Sequence, residues 1–387
     1  MSWVRVPPST LKLSNLMLLS FFILPHIEKP KKIPSSRMKV IIAIDSFKGC
    51  ISSKEANQAA AEGIKNIMPE ADIHQVTVSD GGEGFMEAFH AAIGGNWNYI
   101  IACDPLMRPI TAKYLQKDKL AVIEMAAASG LTLLKEEERN PMHTTTYGTG
   151  QLIANAIKHG VNKIIVGLGG SATSDAGTGM LKALIDNFTH NGIWDDINIL
   201  KDVHFTIASD VKNPLYGPNG AAHVFGAQKG ATPKMIEQLD SRAKVFAQKS
   251  AKHFGYDYST NEGAGAAGGL GYALMQYLNA DCRPGTELLL DTIHFDYLTK
   301  EADYVITGEG SADKQTLMGK LPIGILQHSG KSKCCLIAGR INDKQQLLQA
   351  GFHNVTCINP PGISIEEAMR KDVALRNIQD TVKSIIE

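Results

Sequence analysis

Loops that pair glycines with a carboxylate recur along this chain, and they are where chemistry is expected. The longest is Gly167-Leu-Gly-Gly-Ser-Ala-Thr-Ser-Asp-Ala-Gly-Thr-Gly179, which places Gly169, Gly170 and the Ser171 hydroxyl close to Asp175. Backbone N–H groups at a strand-to-helix turn bind phosphate, and glycine lets the ligand approach them closely. Four further loops put acids where strands are expected to end: Asp45-Ser-Phe-Lys48-Gly49, Asp80-Gly-Gly-Glu-Gly84, Asp210-Val-Lys-Asn213 and Thr307-Gly-Glu309-Gly-Ser-Ala-Asp313-Lys-Gln315. Phosphoryl transfer uses such a set, with carboxylates for Mg²⁺, a base for the attacking hydroxyl, and cations with N–H groups for phosphate. Lys48, Lys229 and Lys320 are lysines in such glycine-containing loops, at 45–49, 224–230 and 315–320. Each residue also has a plainer reading, as a helix cap, a tight packing point or a solvated charge.

Competing motifs can be weighed by spacing. Gly167-Leu-Gly169-Gly170-Ser171-Ala172 fits the dinucleotide pattern G-x-G-x-x-A, which needs an acid at the end of a second strand ~20 residues on. Asp186 lies at that distance but inside an expected helix. Gly263-Ala-Gly-Ala-Ala-Gly268 also fits G-x-G-x-x-G, yet it follows a polar stretch and reads as a close-packing turn. The stretch from Gly324 to Gly330-Lys331-Ser332 has one residue too many between its glycines for a P-loop. The histidines show no H-x-x-x-H spacing and no clustering with cysteine, which argues against zinc. No G-x-S-x-G elbow is present.

The elements that must position these loops alternate short apolar runs with amphipathic segments, as in βαβ units. Lys39–Ile44 is a β-branched run suited to a strand buried on both faces. Ser52 and Glu55 form a capping box for a helix reaching about Met68. Strands are expected at 73–78, 163–166, 205–209, 304–307, 333–338 and 354–358, with a hairpin about Lys117-Asp118 and helices at 146–159, 181–187 and 232–254. Because both chain ends read as one parallel-sheet unit, the fold class expected is α/β with two α/β domains. A flavodoxin- or Rossmann-like domain would comprise residues 38–80 plus 285–387, and an inserted mixed α/β domain residues 81–284.

Lysine plus arginine equals aspartate plus glutamate, so no bulk field favours nucleic acid or a membrane. The six cysteines have no C-x-x-C spacing and read as reduced thiols of a cytoplasmic protein. The apolar run Leu16–Leu24 is shorter than the ~20 residues a membrane span needs, and no A-x-A-like cleavage site follows it. Residues 1–37 are therefore expected to be a disordered extension, with export as the alternative.

Taken in order, the loops resemble the type I glycerate kinase family. The strings that carry the resemblance are Asp45-Ser-Phe-Lys-Gly49, Asp80-Gly-Gly-Glu-Gly84, Asp104-Pro-Leu-Met-Arg-Pro109, Thr145-Thr-Tyr-Gly-Thr-Gly150, Gly169-Gly-Ser-Ala-Thr173, Asn213-Pro-Leu215, Val224-Phe-Gly-Ala-Gln-Lys-Gly230, Gly265-Ala-Ala-Gly-Gly-Leu-Gly271, Thr307-Gly-Glu-Gly310 and Gln315-Thr-Leu-Met-Gly-Lys320. The resemblance implies ATP-dependent phosphorylation of D-glycerate, usually to 2-phosphoglycerate, on a two-domain α/β fold. Two positions depart from it: Ser311-Ala312 stands where Arg and Ile or Leu are usual, and Ala176 where Gly is common.

On that reading ATP and D-glycerate are the small-molecule partners and Mg²⁺ the cofactor. Asp45, Asp80 and Asp175 are the unranked candidates for general base. Glu309 and Asp313 would serve Mg²⁺ or substrate hydroxyls. Lys48, Arg108 and Arg283 would bind the substrate carboxylate, with Asp210 and Asn213 as further substrate contacts. Gly169, Gly170 and Ser171 with Gly268, Gly269 and Gly271 would cradle phosphates, helped by Lys229 and Lys320. A homodimer is left open. A hydroxy-acid dehydrogenase using NAD(P) and a non-catalytic sugar-acid-binding protein are the alternatives.

Overall fold

The run Lys39-Val-Ile-Ile-Ala-Ile44 forms a strand along its whole length, and every residue after Lys39 is buried. The computed structural model describes residues 37–79 and 81–386. Asp80, and all of the expected N-terminal extension except Arg37, lie outside the described residues. Among the described residues the strands are β1 (Lys39–Ile44), β2 (Asp72–Gln75), β3 (Asn96–Cys103), β4 (Pro109–Lys117), β5 (Leu120–Glu124), β6 (Lys163–Gly167), β7 (His204–Ala208), β8 (Asp281–Arg283), β9 (Tyr304–Ala312), β10 (Lys333–Ile341) and β11 (Asn354–Cys357).

The strands make two sheets. One is five-stranded, ordered β11-β10-β9-β1-β2, and all its pairings are parallel. It draws strands from both chain ends, as the sequence implies. The other is six-stranded, ordered β3 through β8. Its β3–β4–β5 part is antiparallel and its β5–β8 part parallel, so the sheet is mixed. The antiparallel β4–β5 pair is the expected hairpin, and Asp118 at its turn has φ 52°. The described residues from Met38 onward cluster as one compact unit containing both sheets.

The two faces of the all-parallel sheet bury different partners. Val40, Ile42, Ile44, Ile306 and Ile337 face the helices Ser53–Ile67 and Lys371–Ile386. The intervening Ile41, Ala43, Val305, Leu336 and Ala338 join the core that holds Leu321, Ile325 and Leu347. This period of two is what a strand covered on both sides must show. Ser52 and Glu55 close the capping box of the first helix, a motif in which the cap alone is worth ~1 kcal/mol. That helix approaches Lys371–Ile386 so closely at Gly63 that a Cβ there would lie 2.5 Å from the Gln379 carbonyl oxygen.

Candidate active site

Strands β1 and β9 are neighbours, yet the chain leaves them toward opposite faces of the sheet. From β1 it passes through residues 45–52 into the helix Ser53–Ile67, on the face lined by Ile42 and Ile44. From β9 it passes through residues 313–320 into the helix Leu321–Gln327, on the face lined by Ile41 and Ala43. Divergent connections from adjacent parallel strands leave a crevice outside their carboxyl ends, the usual ligand position in open α/β sheets. A cavity of 540 Å³ opens at this point. It brings together Asp45, Lys48, Glu309 and Lys320, four of the residues singled out in sequence.

The polar walls of this cavity are held in place. Asp45 is 8% exposed; its N–H donates to the Gly308 carbonyl at 2.9 Å and its Oδ1 accepts the Ser46 N–H at 2.7 Å. Glu309 is equally buried, accepts the Thr316 hydroxyl at 2.5 Å and lies 3.6 Å from Lys320 Nζ. Burial raises the Glu309 carboxyl above its ordinary range, while Thr316 and Lys320 pull it back. Arg340 lines the same cavity from β10, in direct register with Ser311 on β9. The cavity is also lined by the apolar side chains of Phe47, Ile358, Ile365 and Met369.

A second cavity, of 880 Å³, lies against the same loop and shares Ser46, Lys48 and Cys50 with the first. Its walls include Glu83, Glu87, His90 and Glu124. Glu124 ends β5 and accepts the Met86 N–H at 2.8 Å, at the start of the helix Phe85–Ile93. Burial pushes its carboxyl up to about 7, against the opposing pull of that hydrogen bond. Sequence reasoning missed both Glu124 and Arg340. The signal was present for each, since Glu124 closes the run Leu120–Glu124 and Arg340 follows Gly339 near the end of a strand.

Other expected site residues are engaged elsewhere. Asp175 accepts the Thr146 and Gly179 N–H groups and the Thr146 hydroxyl through Oδ2, and the Gly177 N–H through Oδ1. Lys229 is buried, and its Nζ donates to the Thr173 carbonyl at 2.6 Å; desolvation lowers its pKa to about 8 despite the nearby Asp175. The Gly169 N–H points to the Gly81 carbonyl at 3.4 Å, and a Cβ on Gly169 would sit 2.4 Å from Gly82 Cα. Gly170 accepts from Leu131, and the Ser171 hydroxyl bonds the Thr173 N–H and hydroxyl. Gly268 and Gly269 adopt φ of 66° and 93° within the irregular start of the helix Ala266–Leu278 and press on residues 173–176. Gly271 packs against the Gly263 carbonyl.

Arg108 is clamped between Asp104 and Glu138, each at 2.6 Å. Asp313 holds a turn, its Oδ1 accepting the Gln315 N–H. Asn213 donates to the Asn219 carbonyl. Arg283 ends β8 in register with Ala208 and meets the exposed Asp291 at 2.5 Å, while Asp210 follows β7 by two residues. Asp186 sits within the helix Thr178–Phe188 and pairs with Lys182, so it does not end a second strand as a dinucleotide site requires. No cluster of three or more His, Cys, Asp or Glu suited to a metal ion occurs among the described residues.

A mixed α/β protein with carboxylates and lysines gathered at a switch point of a parallel sheet is suited to an anionic, phosphate-bearing ligand. The model of the glycerate kinase family matches residues 40–192 and 194–387. A glycerate kinase of Bacillus subtilis (strain 168) is 40% identical over 354 residues, 86% of this chain and 93% of the relative. A glycerate 2-kinase of Escherichia coli (strain K12) is 39% identical over 360 residues, 86% of this chain and 93% of that protein. A crystal structure from Salmonella typhimurium LT2, named as a glycerate kinase 2, superposes with a TM-score of 0.75 at 36% identity. That superposition covers 90% of this chain and 97% of the other. The chain belongs to the glycerate kinase family.

Proposed function

We propose that the protein transfers the γ-phosphoryl group of ATP to a hydroxyl of D-glycerate, giving 2-phosphoglycerate. The observation that carries this reading is the convergence of Asp45, Lys48, Glu309 and Lys320 on one crevice at the β1–β9 switch point. In the reaction a glycerate oxygen forms the new bond to phosphorus as the bond between that phosphorus and the ADP oxygen breaks. Asp45, which lines the crevice, is the base we assign to the hydroxyl proton; Asp175 instead accepts hydrogen bonds from its own loop and from Thr145 and Thr146. Base assistance is a modest part of such a step, since the loose transition state depends mainly on alignment and charge compensation.

Glu309, the crevice carboxylate not assigned to the proton, fits Mg²⁺, which takes one or two protein carboxylates and leaves its other positions to water and phosphate. The ion would neutralise charge on the transferring phosphoryl group. Lys48 faces both cavities and is placed to orient the substrates toward each other. Arg283 is the cation we assign to the glycerate carboxylate. It ends β8 beside Ala208, whose carbonyl lies against Gly81 at the start of the loop that lines the second cavity.

The same reading keeps residues 38–80 plus 285–387 as one domain and 81–284 as the other, with substrates meeting between them. All six cysteines are free thiols, which supports a reducing, cytoplasmic setting where ATP is available. No helix among the described residues is long and apolar enough to cross a membrane. Phosphorus NMR of the reaction mixture tests the product assignment. A phosphomonoester coupled to the single C2 proton supports it, and coupling to the C3 methylene protons contradicts it.

A further inference from the structure

We propose that the phosphoryl donor docks in the 540 Å³ cavity, with its base against Ile358, Ile365 and Met369 and its phosphates on Arg340 and Lys320. This placement rests on the kinase reading and adds to it which cavity takes the nucleotide and which side chains hold it.

The two cavities differ in charge. The first has Lys48, Lys320 and Arg340 against the carboxylates of Asp45 and Glu309. The second has Glu83, Glu87 and Glu124 against Lys48 and Lys54. The three cations of the first favour a polyphosphate, whereas in the second Glu87 is already paired with Lys113 at 2.8 Å. The first cavity also presents apolar surface that the protein itself leaves open. Ile365 is 80% exposed and Met369 44% exposed at its rim, where a flat heteroaromatic base would cover them. The glycine loops that would otherwise be assigned to phosphate are packed on each other, as Gly268 is on Thr173 and Gly169 on Gly82.

Arg340 is the group without another task. Its side chain is exposed and forms no ion pair or hydrogen bond with the described residues. Lys320, by comparison, is partly neutralised by Glu309 at 3.6 Å. Parallel register pairs Arg340 with Ser311, and Ser311 lies two residues beyond Glu309 on the same strand. Glu309, Ser311 and Arg340 therefore share one face of the sheet. A guanidinium at 340 reaches the space that an arginine at 311 would reach from the neighbouring strand. Its fork suits phosphate oxygens, and no ion pair with a described residue engages it first.

The test is calorimetric titration of the full-length protein with Mg·ADP and, separately, with adenosine. Arg340→Ala should weaken ADP by about tenfold or more and leave adenosine within about twofold. Ile365→Asp should weaken both ligands, since it places a charge against the base. Adding Ser311→Arg to Arg340→Ala should restore ADP to within about threefold of the wild type, which a merely structural role for Arg340 would not produce. Equal ADP affinity in the wild type, Arg340→Ala and Ile365→Asp overturns this placement while leaving the kinase reading intact. No nucleotide binding by the wild type overturns both.

Discussion

Lys320 Nζ stands 3.6 Å from the Glu309 carboxylate, at the carboxyl end of β9 and beside the strand that delivers Asp45. The pair comes from one short stretch of chain: Glu309 lies on the strand, and Lys320 immediately precedes the helix Leu321–Gln327. The Thr316 hydroxyl, from the turn between them, binds the same carboxylate at 2.5 Å. A buried acid is thus kept in position by one cation and one hydroxyl while it still lines an open cavity. That arrangement suits a group that must meet a metal–phosphate ligand without collapsing onto its own neighbours.

Glu309→Gln keeps the shape and removes the charge. The variant should lose about 10²-fold or more in kcat at saturating magnesium, with a melting temperature close to the wild type. Steady-state kinetics and a thermal melt on the same preparation check this. Wild-type kcat in Glu309→Gln would remove this carboxylate from the mechanism.

Lys229 gives the opposite expectation. Its ammonium is buried against the Thr173 carbonyl at 2.6 Å and lines neither the 540 Å³ nor the 880 Å³ cavity. Lys229→Met leaves that carbonyl only the long 3.5 Å bond from the Ser171 hydroxyl, a loss of about 1 kcal/mol or more, seen as a fall of several degrees in melting temperature. The KM for ATP should stay within about twofold. An unchanged melting temperature with a strongly raised KM would return this lysine to phosphate binding.

The contrast between Glu309 and Lys229 shows where the sequence was readable. Lys39–Ile44 and the Ser52–Glu55 cap could be read because apolar period and capping chemistry are local signals. β3 went unread: Asn96–Cys103 is an edge strand with Tyr99 and Ile101 exposed, so its apolar pattern does not mark a buried face. The acids at strand ends were visible, but not which of them face a cavity. Asp175 and Glu309 look alike as sequence, acids beside glycines. Only the fold brings the Thr146 and Gly179 N–H groups onto one carboxylate and leaves the other in an open crevice. Arg340 was hidden for the same reason, since its meaning comes from a register with Ser311 on another strand.

Glu124 makes stability depend on pH. Burial raises its carboxyl from 4.5 to about 7, so between those values the native protein holds a proton that the unfolded chain releases. Its contribution to stability is complete at low pH and is lost as the pH rises through about 7. Glu124→Gln removes this dependence. The stability of the variant relative to wild type should therefore improve steadily from about pH 5 to about pH 8, by about 2 kcal/mol in all. Denaturant unfolding of both proteins across that range measures the difference. A difference that does not change with pH would show that the native carboxyl titrates normally.

The two arginines proposed in sequence for the glycerate carboxylate should separate. Arg108 is held between Asp104 and Glu138, so its charge is already compensated. Arg283 meets a single, half-exposed Asp291. Arg283→Ala should raise the KM for glycerate by about tenfold, whereas Arg108→Ala should leave it within about twofold. The reverse pattern would move the carboxylate site to the Asp104–Arg108 turn.

Phosphorylation of D-glycerate with ATP is proposed to take place at the β1–β9 crevice. Its most direct test is an ADP-coupled assay of the full-length protein with magnesium and ATP, run with and without D-glycerate. ADP formation should require D-glycerate, saturate with it, and fall about 10²-fold or more in Asp45→Asn. Folded, nucleotide-binding protein that releases no ADP in response to D-glycerate would contradict it.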